Sequence, residues 1–202
     1  MRQLVLEIAP ERTFSLANFV VGTNQELLTH LHALARGEFR EAVLYLWGCV
    51  GSGRSHLLHA LRESASTALY VVDDVETLDA EAQGALFQAI NAAREGGPTV
   101  LAAGLQPPAQ LQLRDDVRSR LAWGLVYEVH ALDDAARITY LEQEAARRSI
   151  HISSDVIRYL LNHMRRDLPT LVALMEHLDR YSLAQRRPLT IPFVREALEQ
   201  MH

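Results

Sequence analysis

Residues 48–55 read Gly48-Cys49-Val50-Gly51-Ser52-Gly53-Arg54-Ser55. They fit the pattern G-x-x-x-x-G-K-[ST] at every defined position but one, because an arginine stands where the pattern has lysine. Glycines allow a tight turn in which several backbone N–H groups point at one anion, and the positive end of a following helix strengthens the attraction. The loop therefore predicts a phosphate cradle. The alternative is a plain glycine turn between two core elements.

The sequence on both sides of the loop favours the phosphate cradle. Residues 42–47 are almost entirely apolar and bounded by polar residues, which predicts a buried strand, and residues 55–62 have helical spacing. Strand, glycine-rich loop and helix is the order that such a motif requires. Arg54 keeps the positive charge of the missing lysine, but a planar guanidinium differs in shape from an ammonium group.

The rest of the chain divides into two kinds of pattern. Apolar strand patterns at 68–74, 99–103 and 125–129 alternate with helical patterns at 24–35 and 80–94, whereas only helical patterns follow residue 132. Alternating strands and helices build parallel sheets. We therefore expect an α/β domain with helices on both faces of a parallel sheet, followed by a small all-α lid domain.

Composition excludes several classes of protein. A hydrophobic fraction of 49% is that of a globular chain, and a net charge of −5 gives no general electrostatic attraction to DNA. Cys49 is the only cysteine, so no disulfide can form within the chain, as in cytoplasmic proteins. No apolar run reaches membrane-spanning length. These features predict a cytoplasmic protein that binds neither a membrane nor DNA in a sequence-specific way.

Two acids follow the predicted strand at 68–72. Asp73 and Asp74 stand at its carboxyl end, where parallel-sheet enzymes place their ligands. One carboxylate there could hold Mg²⁺ together with the Ser55 hydroxyl, and the other could polarise water. We assign Asp73 to the metal and Asp74 to the catalytic role. Acids are also common in turns after strands, so the assignment depends on the glycine-rich loop.

A second distinctive run is Arg118-Ser119-Arg120-Leu121-Ala122-Trp123-Gly124. An arginine at a subunit edge can stabilise phosphoryl charge in a neighbour's site. Taken by itself, the run is more simply a solvated basic turn.

In this order the motifs resemble AAA+ proteins of the DnaA/Hda family, most closely the Hda branch, over nearly the whole chain. The matching segments are the glycine-rich loop, Phe14…Asn18-Phe19-Val20-Val21-Gly22, Asp73-Asp74, Gly104…Pro107-Pro108, residues 118–124, Leu178-Asp179-Arg180 and Leu189-Thr190-Ile191-Pro192-Phe193-Val194. The chain ends where DnaA continues into a helix-turn-helix domain, which argues against an origin-binding initiator.

The resemblance implies a role for each matching position. Phe19 and Val20 would contact adenine, residues Gly48 to His56 would bind the phosphates of ADP or ATP, and Ser55 and Asp73 would hold Mg²⁺. Arg120 would be an arginine finger acting on ATP held by DnaA. Gln3, Leu4, Leu6 and Ile8 would form the peptide that binds the DNA sliding clamp. An extended end with alternate apolar side chains suits a groove on a partner, although an ordinary edge strand has the same pattern.

Three positions depart from the family pattern. Arg54 replaces the lysine, Leu105 stands where a polar sensor is expected, and Pro169 stands where the second sensor arginine should be, with Arg165 and Arg166 out of register. We therefore expect weak or absent ATPase activity in this chain itself. The segment between Ser55 and Asp73 also holds only one helix and one strand, whereas the family has a further strand and helix there.

These observations predict three regions: a clamp-binding peptide at 1–12, an AAA+ domain at 13–130 and a lid at 131–202. The expected function is regulation of replication initiation through DnaA and the clamp, with a homodimer possible. The alternatives are a nucleotide-independent scaffold with a vestigial loop and, with less support, an active ATPase or loader. His56 and His59 more simply pack than bind metal, and Cys49 more simply fills the loop than acts as a nucleophile.

Overall fold

The computed structural model describes residues 14–164 and 168–199. The chain divides into two compact units, and the boundary along the sequence falls between Val129 and His130. None of the helices in these described ranges is both long and apolar enough to cross a membrane.

The first unit is built on a four-stranded parallel sheet. Its strands are β1 (Val43–Trp47), β2 (Leu69–Val72), β3 (Thr99–Gly104) and β4 (Leu125–Glu128). They lie in the order β2-β3-β1-β4, and every neighbouring pair is parallel. The predicted parallel sheet is confirmed, and each strand begins and ends within two residues of the predicted limits.

Helices cover both faces of this sheet, as predicted. They are α1 (Gln25–Ala35), α2 (Arg54–Ser64), α3 (Ala80–Arg94) and α4 (Asp115–Leu121). Side chains alternate along β1: Leu44 and Leu46 pack in the core formed with α1 and α2, whereas Val43 and Tyr45 pack in the core formed with α3 and α4. This alternation follows from the two-residue period of a strand. Residues 118–121, which the sequence alone presents as a basic turn, belong to helix α4.

The short segment before Asp73 leaves β2 at an edge of the described sheet. Helix α2 ends at Ser64, and a connection of residues 65–68 leads directly to β2, which pairs only with β3 among the described residues. All four side chains of β2 are half-buried rather than buried, as expected for an edge strand. The family pattern has a further strand and helix in this segment, so either an edge unit has been lost or the sequence omits a stretch; a lost edge unit would be tolerated, because no strand beyond it would depend on its hydrogen bonds.

The second unit consists of four helices: α5 (Asp134–Arg147), α6 (Ser154–His163), α7 (Leu168–Gln185) and α8 (Ile191–Glu199). Asp133 and Ser153 accept hydrogen bonds from backbone N–H groups at the starts of α5 and α6. A parallel bridge between Ile152 and Leu189 joins the segments before α6 and α8. The all-helical character predicted beyond residue 132 is therefore confirmed, apart from this single bridge.

One carboxylate is buried in the second unit. The Glu144 side chain is 9% exposed and accepts hydrogen bonds from Arg147 and Arg148. The Arg147 hydrogen bond first, and then that of Arg148, lower the pKa of Glu144 against the opposing effect of burial. Arg148 also pairs with Glu176 and so ties α5 to α7. The ionised form of Glu144 thus helps to position Arg148, which joins α5 to α7.

We expect Gly84→Ala to stabilise the first unit. Gly84 lies inside α3, and an added Cβ would meet no atom within 4 Å. Alanine loses less conformational freedom than glycine on entering a helix, so the free energy of unfolding should rise by about 0.5–1 kcal/mol. Gly97→Ala is the control, because its Cβ would lie 2.8 Å from the Ala92 carbonyl oxygen. Urea unfolding that ranked the two variants in the opposite order would contradict this.

Candidate functional site

The sheet brings three loops to one edge. Because β1, β2 and β3 are parallel, the loops that follow them leave from the same side. They enclose a cavity of about 480 Å³, lined by residues 50–56 of the glycine-rich loop, by Asp74, Glu76 and Thr77 after β2, and by Leu105 after β3. Residues far apart in the sequence thus meet at the glycine-rich loop.

Glycine is required at two positions of the loop for different reasons. Gly53 has φ +101°, in the left-handed region, and an added Cβ would lie 2.7 Å from the Phe19 ring. Gly48 is limited by close approach, because a Cβ there would lie 2.5 Å from the Val129 carbonyl oxygen. The backbone therefore turns tightly at the end of β1, immediately before helix α2 begins.

The segment before α1 lies against the glycine-rich loop and α2. The Phe19 ring contacts Gly53, and the His56 ring lies near both Phe19 and Phe14. The His56 Nε2 atom is 2.9 Å from the Ser15 carbonyl oxygen, and Phe14 stacks on His59. The two histidines therefore serve to pack this segment, as the simpler interpretation expected.

Val20 is half-buried and, like Phe19, is not among the residues that line the cavity. Cys49 is exposed and is also absent from the cavity lining. Of the positions assigned to nucleotide binding from the sequence, residues 50–56 thus line the cavity, whereas Gly48, Cys49, Phe19 and Val20 do not.

Arg54 is buried in this site. Its side chain is 7% exposed, and its Nη2 atom lies 3.9 Å from a carboxylate oxygen of Asp74. The Nη1 atom is buried and has no hydrogen-bond partner among the described residues, and the same is true of the Ser52 hydroxyl oxygen. Buried polar groups are almost always satisfied. The two orphaned groups are therefore of a kind that suits the oxygen atoms of a polar ligand.

The two acids after β2 behave differently. An Asp73 carboxylate oxygen accepts a hydrogen bond from the Asp74 backbone N–H at 2.9 Å, and Asp73 does not line the cavity. Asp74 does line it, with φ +46° in the left-handed region. Burial, and then the carboxylates of Asp73 and Glu76, raise the pKa of Asp74, while Arg54 opposes that rise. Strained, non-glycine backbone of this kind is often found at functional sites.

The two residues assigned to Mg²⁺ are placed differently with respect to the cavity. Ser55 lines the cavity but Asp73 does not, and the Asp74 carboxylate faces the Arg54 guanidinium. Within residues 14–164 and 168–199, no group of three or more His, Cys, Asp or Glu side chains could hold a metal ion. The cavity is lined by the Ser55 hydroxyl and by Asp74 and Glu76, whose carboxylates already have partners in Arg54 and the Leu105 N–H, and this donor set matches the near-octahedral oxygen coordination of Mg²⁺ poorly.

Glu76 is a cavity residue that the sequence analysis missed. Its carboxylate accepts a hydrogen bond from the Leu105 backbone N–H and so ties the loop after β2 to the loop after β3. A third acid so soon after Asp73-Asp74 was the available signal. Leu105 stands where the family pattern has a polar sensor. It lines the cavity, and the residue is 41% exposed.

Tyr45 of β1 stabilises the loop that follows β3. It is fully buried, and its hydroxyl donates to the Gln106 carbonyl oxygen at 2.7 Å. Burial, with the nearby Glu76 carboxylate, raises the pKa of Tyr45, so the phenol stays protonated and can donate. A Cβ on Gly104 would collide with the Tyr45 hydroxyl and with Glu76, so this close contact requires glycine.

Arg120 lies away from the cavity, on helix α4. Its Nε donates to the Asn91 side-chain oxygen at 2.9 Å, and its Nη1 donates to the Asp116 carbonyl oxygen at 3.2 Å. Its guanidinium carbon lies 3.9 Å from the centre of the Phe87 ring and 5.0 Å from that of Trp123. Trp123 is 53% exposed. Arg120 is thus held in a defined orientation next to an exposed aromatic residue.

The supports of Arg120 were not anticipated from the sequence. Phe87, Asn91 and Arg94 follow the i, i+4, i+7 spacing of one helical face on α3, and Arg94 stacks on Trp123. This spacing was visible in the sequence, but nothing in it indicated that α4 would pack against the same face. The candidate clamp peptide and the two arginines 165 and 166 lie outside the described residues.

Comparison with known proteins agrees with this architecture. Residues 134–198 match the protein family described as "Hda, lid domain". The whole chain resembles the crystal structure of domain III of the replication initiation protein DnaA from Thermotoga maritima. The TM-score is 0.74 at 18% identity, and 93% of this chain and 96% of the other are covered. The second unit thus matches the Hda lid domain family, and the chain has the fold of DnaA domain III.

Two further structures show the same fold. DnaA from Aquifex aeolicus, bound to AMPPCP, matches with a TM-score of 0.66 at 20% identity over 86% of this chain and 69% of the other. The RuvB Holliday junction branch migration motor of Thermotoga maritima matches with a TM-score of 0.68 at 18% identity. That match covers 93% of this chain and 72% of RuvB. The predicted AAA+ fold with a helical lid is therefore confirmed.

Proposed function

We propose that this DnaA/Hda-like chain is a regulator of replication initiation that binds ADP or ATP and acts on ATP held by DnaA. The observation that carries the proposal is the placement of Arg120. The guanidinium is oriented by Asn91 and Phe87 but does not line the cavity of its own chain. An arginine so held, next to an exposed tryptophan, suits a role in the site of a partner. The match of residues 134–198 to an Hda lid domain makes DnaA the favoured partner.

Nucleotide binding is the second part of the proposal. Arg54 and Ser52 have buried polar atoms without partners in a cavity next to a helix N-terminus, which suits phosphate oxygens. A vestigial loop would have no reason to keep these groups buried, which disfavours the scaffold alternative. The apolar side chain of Leu105, where a sensor would stand, favours binding over hydrolysis by this chain. The nucleotide would then have a structural role in the regulator.

The test of the proposal is a hydrolysis assay on DnaA. Purified DnaA loaded with ATP is mixed with this protein and with the sliding clamp loaded on DNA, and ADP formation is followed over time. We expect hydrolysis to accelerate only when this protein is present. A rate that remains at the level of DnaA alone, with a folded protein and a loaded clamp, would sink the proposal.

Clamp binding through residues 1–12 is a separate part of the proposal. The glutamine amide of Gln3 would set the register, and Leu4 and Leu6 would enter apolar pockets. We expect the double change Gln3→Ala and Leu4→Ala to abolish binding to immobilised clamp while leaving ADP binding unchanged. Arg2→Ala is the control, because Arg2 adjoins Gln3 but is not one of the four residues assigned to the contact. Clamp binding that survives the double change would place the contact elsewhere in the chain.

A further inference from the structure

Arg54 stands at the position where the glycine-rich loop pattern has a lysine. It is the first residue of α2, its side chain is 7% exposed, and it lines the cavity together with the glycine-rich loop. A buried positive group is costly unless anions surround it. The carboxylate of Asp74, at 3.9 Å, is beyond hydrogen-bond distance and 57% exposed, so it compensates the guanidinium only in part.

The unused hydrogen-bonding capacity points into the same site. Arg54 Nη1 and the Ser52 hydroxyl are both buried without partners among the described residues. A guanidinium can grip two phosphate oxygens through parallel N–H groups, and charged hydrogen bonds of this kind are roughly twice as strong as neutral ones. The cavity also lies at the start of α2, where the first backbone N–H groups of a helix have no intrahelical partners. A diphosphate would satisfy all of these groups at once.

Each carboxylate near the cavity already has a partner within the protein. Asp73 accepts the Asp74 backbone N–H and does not line the cavity, while Glu76 accepts the Leu105 backbone N–H. Asp74, the remaining acid, faces Arg54. Mg²⁺ requires near-octahedral oxygen coordination and usually takes one or two carboxylates as ligands. The carboxylates of Asp73 and Glu76 thus accept backbone N–H groups, and that of Asp74 faces the Arg54 guanidinium.

We propose that Arg54 is the resident cation of the cavity, so that this chain binds a nucleoside diphosphate without Mg²⁺. The inference rests on the proposed nucleotide binding and concerns its metal requirement. The guanidinium neutralises the phosphate charge that a metal ion would otherwise balance. The arginine that breaks the loop pattern is therefore the residue that replaces the metal.

The test is calorimetric titration of the full chain with ADP, in Mg²⁺ and again in EDTA. We expect the two dissociation constants to agree within about threefold. Arg54→Lys, which restores the lysine of the pattern, should weaken binding in EDTA by about tenfold or more and make it depend on Mg²⁺. Arg62→Lys, an exposed arginine on the same helix, is the matched control and should behave like the unaltered chain.

The outcomes separate the two proposals. ADP binding that disappears in EDTA would overturn the role of Arg54 and leave nucleotide binding intact. No ADP binding in either buffer would overturn nucleotide binding and the inference with it. Thermal unfolding of Arg54→Lys without nucleotide shows whether the variant is folded. If that variant fails to fold, the comparison of Mg²⁺ with EDTA on the unaltered chain still decides the question.

Discussion

Arg120→Ala is expected to abolish the stimulation of ATP hydrolysis on DnaA. Arginine fingers contribute about 10³–10⁵-fold to such rates, so the stimulated rate should fall to that of DnaA alone. ADP binding by this chain should not change, because Arg120 does not line its own cavity. Binding to the clamp should also persist. The measurement is ADP formation from DnaA-bound ATP, with calorimetry and clamp capture as the two readouts that stay constant.

Two further variants separate a finger from a general basic surface. Arg118 lies on the same helix and pairs with Asp115 at 2.6 Å, so Arg118→Ala removes an equal charge from a different orientation. It should leave stimulation nearly intact. Asn91→Ala removes the acceptor of the Arg120 Nε and should lower stimulation by roughly tenfold, since an arginine held less firmly is less often in place. Equal losses from Arg118→Ala and Arg120→Ala would reject the finger in favour of a nonspecific electrostatic effect.

Gly53→Ala is expected to have the largest effect on nucleotide binding. An alanine at position 53 would have to adopt φ +101°. Its Cβ would lie 2.7 Å from the Phe19 ring, so the loop or the ring must move. A left-handed alanine costs about 1–2 kcal/mol before any clash. Displacement of the loop N–H groups should weaken ADP binding by at least about tenfold. Calorimetry with ADP and urea unfolding measure the two consequences.

Gly51→Ala is the matched control for this change. Gly51 also has a positive φ, +82°, but a Cβ there would meet no atom within 4 Å. The difference between the two variants therefore isolates the contact with Phe19. Adding Phe19→Ala to Gly53→Ala should recover part of the lost free energy of unfolding, because the clash is removed. Identical behaviour of Gly51→Ala and Gly53→Ala would show that the ring contact does not matter.

The local pattern of the sequence was enough to predict the elements of the fold. Strand β1 is a continuous apolar run between polar residues, and α3 has caps and apolar residues at helical spacing, so both are determined by interactions close in the chain. The glycine-rich loop likewise predicted the tight turn that lines the cavity, because this turn depends on glycines within one short segment. The change from alternating elements to helices alone predicted the lid domain. In each case the physical cause is short-range.

Tertiary structure decided which distant groups meet. The sequence placed Asp73 beside Asp74 but could not show that one bonds the backbone while the other faces Arg54, because that choice depends on the left-handed backbone of Asp74. It marked Arg120 but not its support by Asn91, which requires α4 to pack on α3. Such contacts join residues that are far apart in the chain, and their geometry follows from packing of the sheet and helices. The sequence therefore predicted which residue types belong to the site. The balance of charges among them depends on contacts that form only when the strands bring the loops together.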